Sequence, residues 1–177
     1  MDGKGMGKLD NNKRDGLVGH ERGQGKDDWL TPPGIIEALG PFDLDPCASI
    51  DQPWATARLQ YTKEDDGLSK SWHGFVWCNP PYGRETKKWI QRMVEHHNGI
   101  ALIFARTETS TFFPFIWEYA ESLFFIKGRL KFCFSNGKPS KNSAGGPSML
   151  VGFGEEALQR LQHCSLEGKF VRLKEIT

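Results

Sequence analysis

Phe75-Val76-Trp77-Cys78-Asn79-Pro80-Pro81-Tyr82-Gly83 decides the fold. Four apolar residues run without a break and stop at a turn holding two prolines. A strand covered on one face alternates apolar and polar residues. An unbroken apolar run predicts a strand buried on both faces, as in a parallel sheet. Behind it, Thr86 to His97 predicts a helix, with Trp89, Ile90, Met93, Val94 and His97 on one face. Ile100 to Phe104 predicts a second buried strand. A helix over Phe112 to Tyr119 follows, with Pro114 near its start, then a long strand from Leu123 to Phe134 bent at Gly128. A polar loop spans Ser135 to Pro147, Met149 to Phe153 is the last strong strand, and Glu155 to Gln162 a short helix.

Ahead of the deciding stretch, Thr31-Pro32-Pro33 predicts a helix start, with Thr31 as N-cap and Pro32 at the first helical position. Ile35, Ile36 and Leu39 supply its apolar face, and Gly40-Pro41 stops it. Phe42 to Asp45 predicts a short strand ending at Pro46, and Asp65-Asp66-Gly67 a turn. Residues Ile50 to Leu59 are ambiguous. Strands alternating with helices predict an α/β fold: a mainly parallel sheet with helices on both faces. No helix separates the last two strong strands, which predicts an antiparallel hairpin at the sheet edge. Ligands in such sheets sit beyond the carboxyl ends of strands. That rule selects the turns after Asp45 and after Cys78.

The 177 residues are 38% hydrophobic with a formal net charge of +1, which fits one domain of ~100–200 residues. Met1 to Lys26 is rich in Gly, Lys, Asn and Asp and is expected to be a flexible tail, because it buries too little apolar surface to offset ordering entropy. A single domain over 27–177 is expected. No stretch reaches the ~20 apolar residues of a membrane span, and the N-terminus lacks the apolar core of a secretory signal. A soluble cytoplasmic protein with no membrane partner is the expectation. Cys47, Cys78, Cys133 and Cys164 form no CxxC pair and are read as reduced, mostly buried thiols. No metal site is predicted from the cysteines and the five histidines. His96 and His97 are expected to end a helix, where positive charge suits the dipole. From Ser122 to Gly154 there is no Asp or Glu, yet Lys127, Arg129, Lys131, Lys138 and Lys141 lie there. Such one-sided charge is an electrostatic footprint for phosphates.

Asn79-Pro80-Pro81-Tyr82 carries the chemistry. A match to this pattern arises by chance in roughly 1 of 200 chains of this length, so its place at a strand's end is read as function. Prolines have no N–H, so the turn is rich in carbonyl acceptors. The Asn79 side-chain oxygen accepts one N–H of an exocyclic amine, and the Pro80 carbonyl the other. Two acceptors draw the nitrogen out of ring conjugation and free its lone pair, without a strong general base. Tyr82 offers a face to a flat heterocycle.

The Asn-Pro-Pro-Tyr run resembles motif IV of amino-group methyltransferases that use S-adenosylmethionine. Together with Trp29-Leu30-Thr31-Pro32, Leu44-Asp45-Pro46-Cys47-Ala48-Ser49 and Asp66-Gly67-Leu68, it makes the chain from about Asp28 to Phe153 resemble phage-type DNA N6-adenine methyltransferases, the phage Dam family. The resemblance implies a Rossmann-like methyltransferase fold, S-adenosyl-L-methionine as cofactor and double-stranded DNA as partner. It implies that Asn79 and the Pro80 carbonyl hold the adenine N6, Pro81 shapes the turn and Tyr82 stacks on the base. Asp45, Pro46, Cys47 and Ala48 take the place of the methyl donor's motif I. Trp29, Thr31 and Pro32 resemble the segment that closes over the donor's methionine end, where a helix N-terminus would favour its carboxylate. Asp66, with Asp65 beside it, would contact the adenosine. One departure stands out: motif I normally holds glycines, and Cys47, Ala48 and Ser49 hold none.

An adenine inside a duplex must be flipped out, at a cost of a few kcal/mol, while phosphate contacts hold the strand. Arg84, Arg129, Lys131, Lys138 and Lys141 are the candidates, and the Ser135 to Pro147 loop is a candidate for DNA contact and sequence reading. The tail would add a salt-sensitive, nonspecific grip. Two alternatives stay open from the residues: an amino methyltransferase acting on RNA or a protein glutamine, and a DNA-binding module without catalysis. The resemblance suggests GATC as the site, a phage or prophage gene in a bacterial host, and protection from restriction.

Overall fold

The computed structural model describes residues 29–174; the tail expected over Met1 to Lys26 lies outside them. Its centre is a seven-stranded sheet in the order β2-β1-β3-β4-β6-β5-β7. β1 (Leu44–Asp45), β2 (Leu59–Gln60), β3 (Val76–Cys78) and β4 (Gly99–Phe104) run parallel, with Leu44 opposite both Leu59 and Val76, and Trp77 opposite Ile100. β6 (Ser148–Phe153) is antiparallel to both β4 and β5 (Ser122–Ile126), with Val151 opposite Ala101 and Leu123. β7 (Gly168–Arg172) closes the far side against β5. The sheet is thus parallel in its centre and antiparallel toward one edge.

The unbroken apolar runs have the predicted cause. β3 and β6 are buried throughout, and β4 is buried up to Ile103. One face, with Val76, Cys78, Ala101, Ile103 and Val151, packs under α2 (Thr86–His96) and a π-helical segment at Phe112–Trp117. The other face, with Trp77, Ile100, Leu102 and Leu150, packs under α1 (Pro33–Leu39) and α3 (Glu155–His163). α2 buries Trp89, Ile90 and Met93 as its spacing predicts. His97 leaves that face: it caps the helix in the left-handed conformation, at φ +55°.

Several expectations are corrected. The hairpin is not at the edge, because β6 inserts between β4 and β5 and β7 takes the edge. β7 escaped notice because Phe170 and Val171 are its sole apolar residues and it is at most half-buried. The strand expected from Leu123 to Phe134 ends at Ile126. Gly128, at φ +77°, turns the chain out of the sheet, a conformation that glycine adopts without a Cβ clash. The helix expected at Phe112 to Tyr119 is π-helical over Phe112–Trp117. Thr31 is not the N-cap: Pro32 holds that place without a side-chain cap, and Pro33 is the first helical residue.

Candidate active site

After β1 the chain moves to β2 on one side, then returns to β3 on the other. The strand order reverses between β1 and β3. A crevice opens beyond the carboxyl ends at such a point. Both selected turns are there, after Asp45 and after Cys78.

Asp45 is buried, and both its oxygens are used inside the protein. One accepts the Cys47 N–H (3.0 Å), the other the Thr56 hydroxyl. Thr56 is itself tied to Gln52 and Gln60. Burial pushes the Asp45 carboxyl up to about 6, while the Thr56 and Cys47 hydrogen bonds pull the other way. The geometry makes Asp45 a brace for its own turn. Since its folded value lies above the ordinary 3.8, the folded chain holds this proton more tightly than the unfolded chain. Stability from this group is complete below 3.8 and is lost as pH rises through about 6. Asp45→Asn is therefore expected to gain on the wild type by roughly 1.4 kcal/mol as pH rises from 5 to 8, the last half of a total of about 3 kcal/mol that begins near pH 3.8. Urea unfolding at the two pH values measures it; an unchanging gap would refute the account.

The Asp45 turn holds no glycine, but one from another segment lies against it. A Cβ on Gly67 would land well inside contact distance of the Pro46 carbonyl. The Asp65-Asp66-Gly67 turn therefore lies directly on the Asp45-Pro46 turn, with exposed Asp66 beside it at φ +53°. The Trp72 indole N–H donates to the Gly67 carbonyl at 2.8 Å and pins this approach. Pro46 and Ala48 are buried and Cys47 half-buried. The Ala48 N–H is taken by the Tyr61 carbonyl. Cys47 Sγ lies 3.7 Å from Cys78 Sγ, both as free thiols, so the two turns touch. Burial and the neighbouring Cys78 push the Cys47 thiol well above its ordinary range. Cys133 is buried and Cys164 half-buried, so the thiols are free as expected but only two are fully buried.

At the second turn, the Asn79 Nδ2 donates to the Trp29 carbonyl at 3.3 Å. Its Oδ1 is buried with no hydrogen-bond partner among the described residues. A buried acceptor left unpaired costs about 1–3 kcal/mol, which a bound donor would offset. Pro80 is buried, and the exposed Pro81 offers its carbonyl to the Thr86 hydroxyl (2.7 Å), fixing the start of α2. Tyr82 stacks on Phe104, with ring centroids 4.3 Å apart, and makes an edge-to-face contact with Phe132 at 6.2 Å. One face of the ring expected to receive a base is thus already covered. Burial raises the Tyr82 phenol above its usual range.

The chain that leaves the sheet at Gly128 folds back over the Tyr82 turn and Leu30. Its two arms pair with each other, Ser140 N–H to Phe132 carbonyl and Ala144 N–H to Leu130 carbonyl. Leu30 exchanges two backbone hydrogen bonds with Cys133, each 2.9 Å. Trp29 packs on Phe134 (5.4 Å), and Gly146 lies against the Phe104 ring. Arg129, Lys131, Lys138 and Lys141 are exposed on this flap, and Arg84 is exposed just past Gly83. Among the described residues, none of the five is ion-paired, whereas Lys127 is held by Glu167 at 2.9 Å. Of the expected donor residues, Trp29 reaches Asn79 through its backbone, Thr31 is buried and Pro32 half-buried at the foot of α1. Sequence reasoning missed Thr56, Phe104, Phe132 and Phe134, and it had Gly67 only as part of a turn and of the Asp66-Gly67-Leu68 motif, without its contact to Pro46. The flap aromatics had no signal, because their partners are remote in sequence.

Among the described residues, no helix is long and apolar enough to cross a membrane, and no group of three or more His, Cys, Asp or Glu is arranged to hold a metal ion. No curated protein and no solved structure matches the chain. A family model described as DNA N-6-adenine-methyltransferase (Dam) matches residues 19–166, more than half of the sequence. With that match, the chain belongs to the Dam family of DNA N-6-adenine-methyltransferases.

Proposed function

We propose that one domain over 27–177, with a Rossmann-like methyltransferase fold, transfers a methyl group from S-adenosyl-L-methionine to N6 of an adenine flipped out of double-stranded DNA. The observation that carries this reading is the Asn79 amide, its donor end taken by Trp29 and its acceptor end buried and free. Asn79 Oδ1 and the Pro80 carbonyl accept the two N–H groups of N6 and turn its lone pair out of the ring. Pro81 keeps the turn rigid. Tyr82, backed by Phe104, presents its remaining face to the base. The donor supplies an electrophilic methyl on a sulfonium. Pro46, Cys47 and Ala48 would hold it at the switch point, on the turn that Asp45 braces, with Trp29, Thr31, Pro32 and Asp66 around them. The residues fit: Cys47 and Ala48 are small, and Gly67 lets the neighbouring turn close on Pro46 beside them. The Cys47 and Ala48 N–H groups are spent within the protein, so shape and side chains would receive the donor. GATC as the site and the cytoplasm of a bacterial host, with a phage or prophage gene, follow from the resemblance.

Arg84, Arg129, Lys131, Lys138 and Lys141 would grip phosphates. Replacing Lys131, Lys138 and Lys141 together by Gln is expected to weaken duplex binding across sequences and to lower the slope of log K against log salt by roughly 3. Fluorescence anisotropy at several salt concentrations checks this, and an unchanged slope would move the phosphates elsewhere. The function itself is tested by incubating the full chain with labelled donor and unmethylated duplex. Label is expected in N6-methyladenine, and methylation-sensitive nucleases then give the site. Bound donor with no label in adenine would overturn the proposal.

A further inference from the structure

We infer that Phe134 is a positioning residue for Asn79 and acts on it through Trp29; this rests on the reading of Asn79 as the amine acceptor. An asparagine amide has a donor end and an acceptor end of nearly the same shape. Rotated by half a turn, it would point N–H at N–H and could not receive an amine. The Trp29 carbonyl can only accept, so its contact with Nδ2 decides which end faces the crevice.

Trp29 is held in turn by the flap. Its neighbour Leu30 is laddered to Cys133, and its ring rests on Phe134. The backbone of Phe134 is fixed by its N–H on the Lys138 carbonyl and its carbonyl under the Gly137 N–H. Yet Phe134 is 37% exposed, so its ring is no core element. Removing it leaves the Leu30–Cys133 ladder and both core layers, and takes away the ring contact that holds Trp29 from the flap side, opposite its packing on the core. The flap also carries Lys131, Lys138 and Lys141, so a DNA backbone gripped there bears on the same arm.

The test compares Phe134→Ala with wild type in the full chain. Single-turnover methyl transfer at saturating donor is expected to fall roughly tenfold or more, while duplex affinity by anisotropy stays unchanged. Phe134→Tyr restores the rate. The side-chain amide signals of Asn79, assigned by their loss in Asn79→Ala, shift or broaden in Phe134→Ala. An Asn79 amide signal identical to wild type, or a rate loss matched by an equal loss of duplex affinity, overturns the inference. If circular dichroism shows Phe134→Ala unfolded, Phe134→Leu replaces it with the same readouts. A wild type that transfers no methyl to DNA overturns the functional reading instead, and the amide signals still decide whether Phe134 orients Asn79.

Discussion

Asn79→Ala is expected to lower methyl transfer roughly 10²–10³-fold, the usual cost of removing one preorganised hydrogen-bonding group at a reacting centre. The fold should survive, because the side chain makes one hydrogen bond, to the Trp29 carbonyl, worth about 1 kcal/mol net. Truncation also removes the unpaired buried Oδ1, which offsets part of that loss. Donor binding should persist, since the Asp45 turn is braced by Thr56, Cys47 and Tyr61 rather than by Asn79. Single-turnover kinetics with a donor-binding control read the outcome. Near-normal transfer in the variant would remove the amine-acceptor role from this turn.

The second large effect lies away from the motif. Gly67→Ala places a methyl against the Pro46 carbonyl, which is backbone and cannot swing aside. Overpacking of this kind costs about 1–3 kcal/mol and at times more, and a Tm lower by roughly 5–10 °C is expected. The shift must be taken up by the Asp45-Pro46 turn or the Asp65-Asp66 turn, so donor affinity should fall with stability. Gly34→Ala is the control. It is exposed in α1 with open space around it, and it should gain about 0.5–1 kcal/mol. Calorimetric melting of both variants decides: equal Tm values would mean the two turns do not press on each other.

The parts legible in the sequence were those with local causes. Val76 to Cys78, Ile100 to Phe104 and Met149 to Phe153 announced buried strands because both faces of each are covered. Thr86 to His96 announced its helix by spacing. The place of Asn79 at a strand's end followed from the same run. Other features arise between segments remote in the chain. Nothing around Gly67 says that Pro46 will meet it, and nothing in Leu130 to Ser140 says that it leaves the sheet to cover Tyr82. β5 and the flap read as one strand-like stretch rich in Phe and Leu, split only by what Gly128 does in three dimensions. Thr31 satisfied every local rule for a cap and lost the place to Pro32, where a second proline follows.

The strand order has a consequence for how the chain is made. β4 and β5 do not pair with each other; β6 joins them. The two halves of the sheet therefore stay separate on the ribosome until Ser148 to Phe153 emerge. At ~5–20 residues per second, the apolar edge of Ile100 to Phe104 waits a few seconds for its partner, as a template on which another nascent chain can add a strand. Translation speed between Phe104 and Phe153 sets the length of that wait, and with it the yield of correctly folded chain.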